Sequence, residues 1–275
     1  MNNIEDNVAN HYGDSELLSR IFSGLQASGI DPKEMKVDDL APVDEFHIGG
    51  RMATAHAVQK MALGTNQHIL DVGCGIGGAA RYIASLTGNN VTGIDLTPEY
   101  ISTAIELTEL IGLNERINYQ VASALDMPFD DEIFDAAITI HVAMNIPDRE
   151  KLYGEIARVM KPGAKLCIYD VMKKGNQAIV FPVPWATSSE TSHLVSADEM
   201  KSLLSDAGFK INDVEDRTEP AIEFFERGIA ASADGPVPLG MHLVMGESAP
   251  IKFKNIYDNV KNGRVAPTQI IAQRI

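Results

Sequence analysis

The sequence is poor in cysteine, tryptophan and basic charge, and it has no long apolar run. Its two cysteines, Cys74 and Cys167, form no C-x-x-C pair, which excludes a disulfide framework and argues against a thiolate zinc site. Lys and Arg number 23 against 38 Asp and Glu, a formal net charge of −15. A protein that neutralises phosphates needs a basic face, and no Lys/Arg cluster is present, so no nucleic acid or anionic membrane is expected as a partner. An acidic surface still admits a cationic or zwitterionic small molecule. No stretch approaches the ~18 apolar residues of a membrane span. The polar start MNNIEDNVANHYGD does not read as a signal peptide, so the expected location is cytoplasmic.

What is present is core material in an alternating order. Apolar residues make up 45% of the 275, enough for a sizeable core. From residue 68 short apolar runs alternate with amphipathic stretches: HILDVG, NVTGIDL, INYQVAS, FDAAITIHV, AKLCIYDVM, FKINDVED and VAPTQIIAQRI read as strands. The stretches between most of them read as helices. Pro98 opens one, KPG at 161–163 stops another, and Ser196 and Gly208 bound a third. This spacing implies an α/β, Rossmann-like, mainly parallel sheet with helices on both faces. Residues 1–60 precede the first strand and read as an N-terminal cap. Within the main domain, 61–275, insertions at 173–196 and 219–264 are placed to cover the carboxyl edge of the sheet, where ligands bind in such folds.

The segment HILDVGCGIGGAARYIA contains Gly73, Gly75 and Gly78 in a G-x-G-x-x-G pattern, with Cys74 inside the loop. Glycine removes the Cβ atoms that would keep a ligand from the backbone, and the following helix aims free N–H groups at the same place. Asp71 discriminates between cofactors. A carboxylate at the strand end opposes a pyrophosphate and favours a cofactor with a sulfonium and an ammonium. Asp95, 24 residues further on, suits two ribose hydroxyls in either case.

LDVGCGIGG, VTGIDLTPE, ALDMPFDDEIFDAAIT and EIARVMKPGAKLCIYD, in that order and spacing, resemble the class I S-adenosylmethionine-dependent methyltransferases over roughly residues 65–275. The resemblance implies a seven-stranded sheet with an antiparallel last strand between the fifth and sixth, and S-adenosylmethionine as cofactor. It places Gly73 and Gly75 under the methionine and ribose, Asp95 on the ribose hydroxyls and Leu96 against the adenine. Ser123 stands where the family often has an aspartate for the adenine amino group, so the Ser123 hydroxyl or the Ala124 backbone would read it. Asp126 reads as an exposed loop acid. NHYGD followed by DEFHIGG resembles the N-terminal lid of the glycine, sarcosine and dimethylglycine N-methyltransferases. Related lids occur in tocopherol C-methyltransferases and cyclopropane fatty acid synthases. That pattern implies Tyr12, His47 and Gly49 near the methionine end.

The acceptor side is less defined. His141 follows the fourth strand and reads either as a polar residue packed beside the cofactor or as a group that handles substrate or proton. His47 carries the same pair of readings. Asn145, Trp185 and His193 are the substrate candidates, with Trp185 either core or an aromatic wall for a cation. No acidic cluster follows the fourth strand, so no metal is expected. The expected reaction is N-methylation of an amine by direct displacement. Alternatives are O- or C-methylation of a quinone, phenol or natural product, a noncatalytic binder and, remotely, an NAD(P)-dependent oxidoreductase, against which Asp71 and the missing Tyr-x-x-x-Lys pair count.

Overall fold

The computed structural model describes residues 16–231, 235 and 237–275. Seven strands are β1 (His68–Val72), β2 (Asn90–Asp95), β3 (Ile117–Val121), β4 (Phe134–Ile140), β5 (Met160–Lys173), β6 (Phe209–Asp216) and β7 (Val265–Arg274). They form one sheet in the order β3-β2-β1-β4-β5-β7-β6. β1 to β5 run parallel, and β7 is antiparallel to both β5 and β6. The order reverses beside β1, so the carboxyl ends of β1 and β4 diverge there and open a crevice.

The helices are α1 (Leu17–Ala27), α2 (Ala41–Asp44), α3 (Gly50–Met61), α4 (Gly78–Thr87), α5 (Pro98–Ile111), α6 (Arg149–Val159), α7 (Ala197–Asp206), α8 (Thr218–Ala231), α9 (His242–Met245) and α10 (Ala249–Lys261). Strand alternation sorts them onto two faces. Leu70 and Val72 pack with Leu152, Ile156, Met200 and Leu204 of α6 and α7. Ile69, one residue out of phase, packs with Ala57, Met61, Ile83 and Ala104 of α3, α4 and α5. Helix ends follow local chemistry. Ser196 and Glu199 form a reciprocal capping box at α7, and Asp148 caps α6 by accepting from the Lys151 N–H.

Two sequence expectations shift. α6 stops at Val159 as KPG suggests, but β5 starts at Met160 rather than Ala164. Met160 pairs with Phe134 before the register slips, so Lys161–Gly163 are taken up as an irregularity inside the strand. The cap boundary placed at residue 60 falls inside α3, whose Ala57, Val58 and Met61 are buried in the sheet's own core. α1 is the amphipathic helix that Leu17, Leu18, Ile21, Phe22 and Leu25 imply. Its buried stripe meets Tyr100 and Leu107 of α5, so cap and sheet domain share one apolar cluster.

Candidate active site

The cavity above the carboxyl ends of β1, β2 and β4 measures about 360 Å³, within the range of small-molecule sites. One end is the glycine loop. Gly73 and Gly75 hold φ values of +71° and +53°, a region L side chains rarely occupy. A Cβ on Gly73 would lie 2.3 Å from Val142 Cγ2, and one on Gly75 would lie 2.9 Å from Phe46 Cζ. The sequence argument had a side chain there filling the ligand's place. The first collision is instead with protein, because the cap and the β4 exit loop press onto the glycines. At Gly78 the obstacle is backbone, the Asp44 carbonyl oxygen 2.7 Å from its Cβ position.

Asp44 anchors that contact. It pairs with the fully buried Arg81 of α4 at 2.5 Å, and Arg81 also donates to the carbonyls of Ile76 and Ala104. Burial raises the Asp44 carboxyl to about 6 despite the opposing guanidinium. Next to it, Glu45 binds Arg51 Nε at 3.1 Å and accepts from Thr54 Oγ1 at 2.5 Å.

The carboxylates expected to meet a cofactor lie at this end. Asp95 Oδ2 accepts from the Gly75 N–H at 3.0 Å and Oδ1 from the Thr97 N–H at 2.9 Å, and each oxygen retains a lone pair for a ribose hydroxyl. Asp71 is 2% exposed, and its Oδ2 has no partner among the described residues. Desolvation, with the Asp95 and Glu45 charges adding, raises its pKa to about 7. A buried orphan oxygen of this kind fits a cationic ligand. Cys74, Leu96, Ser123 and Ala124 line the same end. The Ser123 hydroxyl accepts from the Leu125 N–H at 3.1 Å, Asp126 is exposed, and Tyr12 lies outside the described residues.

The other end gathers chain from four distant segments. His141 sits at φ +56° with its N–H bonded to the Tyr169 carbonyl. Its ring stands 5.3 Å from Tyr169 and 5.9 Å from His47. Nε2 is buried without a partner among the described residues, and desolvation with His47 beside it holds the imidazole well below the usual range. His47 is also kept neutral, lowered to about 4 by burial although a hydrogen bond at Gly50 opposes the shift. It differs from His141 in having a partner, Thr54 Oγ1 at 3.1 Å. Trp185 is both core and wall: it is 3% exposed, lines the cavity and donates from Nε1 to Ser192 Oγ. Asn145 Nδ2 donates to the Trp185 carbonyl at 2.7 Å. His193 is not part of the lining; its backbone bonds Met144 and Arg149 behind the wall. The rest is largely apolar, from Phe46, Tyr100, Phe224, Phe225, Met245, Phe253 and Ile256, with Asp148, Lys151 and Lys252 as its charged members. Sequence reasoning missed Tyr169, Val142, the α8 aromatics and Lys252. They carry no motif and come together only in the fold.

Residues 70–168 match the model of the methyltransferase domain family. The O-methyltransferase resE of Aspergillus sclerotiorum is 30% identical over 208 residues, covering 73% of this chain and 77% of that one. An O-methyltransferase of Pyrenophora dematioidea is 29% identical over 253 residues, 85% of this chain and 92% of that one. Among solved structures, phosphoethanolamine N-methyltransferase 2 of Haemonchus contortus, in complex with S-adenosyl-L-methionine, superposes with a TM-score of 0.76 at 18% identity. That match covers all of this chain and 60% of the other. The chain belongs to the class I S-adenosylmethionine-dependent methyltransferases. It is a small-molecule methyltransferase whose cofactor is S-adenosylmethionine, which sets aside the NAD(P) alternative. Among the described residues no helix is long and apolar enough to cross a membrane.

Proposed function

We propose that the protein methylates a hydroxyl oxygen on a largely apolar small molecule. The observation that carries this is His141 in the cavity wall, whose buried Nε2 has no partner among the described residues. S-adenosylmethionine, when bound, supplies an electrophilic methyl carbon on a sulfonium. The protein then has to align the acceptor, exclude water and, for a hydroxyl, take a proton. The glycine loop, Asp71 and Asp95 would hold the cofactor. The apolar end excludes water and seats the acceptor, with Trp185 and Asn145 fixing one wall. His141, neutral because it is desolvated, offers a lone pair to the acceptor's O–H. His47, bonded to Thr54, orients the neighbouring ring edge. The O-methyltransferases among the relatives support this acceptor.

The amine acceptor expected from the sequence is the competing outcome of one experiment. S-adenosylhomocysteine release is measured over a panel of phenols, alcohols and amines of matched size. We expect turnover of hydroxyl compounds, with His141→Asn lowering kcat by roughly 10²–10³-fold and leaving cofactor affinity intact. Asn tolerates the positive φ at that position. Turnover of amines alone, indifferent to His141, would overturn the reading. We also assign the protein to the cytoplasm, on its two free buried thiols. Its charge of −15 supports the absence of a nucleic-acid partner.

A further inference from the structure

Helix α10 buries Lys252, Asn255, Ile256, Asn259 and Val260. These fall at i, i+3, i+4, i+7 and i+8, the stripe a helix turns toward a core. The two asparagines are satisfied: Asn255 donates to the Pro182 carbonyl at 2.9 Å, and Asn259 exchanges bonds with the Val180 backbone. Lys252 is not. It is 6% exposed, lines the cavity with Ile256 one turn away, and forms no hydrogen bond or ion pair among the described residues. Desolvation lowers its pKa from 10.5, and no carboxylate among the described residues opposes the shift. The exposed lysines of the same helix behave differently, Lys254 reaching Asp258 and Lys261 reaching the Tyr257 hydroxyl. Its stem is packed away while the ammonium is half-buried at the cavity surface, so a ligand anion would meet a partly desolvated charge there.

We infer that Lys252 recognises the acceptor, and that the acceptor is an apolar molecule bearing one oxygen anion, a carboxylate or an ionised phenol or enol, seated against this ammonium. The inference rests on the reading that this cavity holds the acceptor beside the cofactor. The surface field of a chain carrying −15 repels such a ligand, so the attraction has to be local and at least partly desolvated, as it is at Lys252. An ionic contact at Lys252, beside the apolar Ile256 and Phe253, also fixes which end of the molecule faces the reacting centre.

The test uses the full chain saturated with S-adenosylhomocysteine, titrated calorimetrically at pH 8 with 4-nitrobenzoate, 4-nitrophenolate, 4-nitrobenzamide and 4-nitrobenzylamine. These share a ring and differ in the charge of the head group. At least one anion should bind ten or more times tighter than the amide and the amine, and the tighter anion tells carboxylate from phenolate. Lys252→Met, which keeps the apolar stem, should bring that anion to the amide's affinity, and Lys252→Arg should keep the preference. Wild-type affinity for the amide or amine equal to that for both anions, a preference that survives in Lys252→Met, or no binding of any of the four would overturn the inference. Failure of S-adenosylhomocysteine itself to bind would overturn the cofactor assignment instead.

Discussion

The two ends of the cavity are built differently. The cofactor end comes from residues close in sequence, Asp71 to Gly78 and Asp95 to Thr97, on the tips of β1 and β2 and the turn into α4. It is rich in carboxylates and backbone N–H groups, and most of its polar atoms are bonded to one another. The acceptor end draws on residues 46–48, 141–147, 184–185 and 224–256 and is mainly apolar; His47 and Asn145 are bonded, whereas His141 Nε2 and the Lys252 ammonium have no partner among the described residues. A bonded polar end is preorganised for one invariant ligand, whereas an apolar end with isolated polar atoms selects by where those atoms meet a partner.

The sharpest way to break this contrast is at Arg81, where the cap is locked to the cofactor end. Arg81→Met strips the buried Asp44 of its counter-ion and should cost about 3–5 kcal/mol, read from urea unfolding. Deleting residues 1–45 would remove Asp44 and Glu45 as well, so a truncated chain should also lose stability in urea unfolding. Unchanged stability in Arg81→Met would mean that the cap is only loosely held.

Gly73→Ala comes next. Its Cβ would stand 2.3 Å from Val142 at a φ of +71°, so Val142 must move and the loop must strain. A loss of roughly 1–3 kcal/mol is expected, shared between stability and cofactor affinity. Normal S-adenosylhomocysteine binding by calorimetry would refute the tight loop.

A smaller effect is set by Asp71. Its pKa of about 7 lies above the ordinary 3.8, so in the free protein its contribution to stability is present at low pH and is lost as pH rises through about 7. Cofactor binding should run the opposite way, because a cation requires the ionised carboxylate. Affinity for S-adenosylmethionine should therefore rise roughly five- to tenfold from pH 6 to 7.5, and Asp71→Asn should flatten the profile. A flat wild-type profile would separate Asp71 from the cofactor's positive groups. The smallest effect expected is from EDTA: exhaustive treatment should leave turnover unchanged, and recovery of lost activity by magnesium would contradict this.

The cofactor end and the sheet were legible in the sequence because their determinants are local. Glycine spacing dictates a positive-φ turn, apolar runs of strand length between amphipathic stretches dictate a mainly parallel sheet, and Asp71 and Asp95 sit at strand ends by register alone. The antiparallel β7 between β5 and β6 came from the family resemblance rather than from periodicity.

The acceptor end could not be read in this way. Nothing in the residues around Lys252 announces that its turn of α10 faces a cavity, since a lysine on an amphipathic helix is ordinarily solvated. Trp185 was divided between core and wall, and it became both only where the 181–185 loop packed under Ile256 and Phe225. His47 and His141 looked alike in the sequence, but the fold paired one with Thr54 and left the other without a partner among the described residues, both lining the cavity. The sequence by itself determined the sheet, the glycine turn and the kind of cofactor, because backbone conformation and strand alternation are short-range properties. Only the tertiary structure decided which polar atoms stay unpaired inside the apolar chamber, because burial and the absence of a partner depend on every segment packed around a side chain.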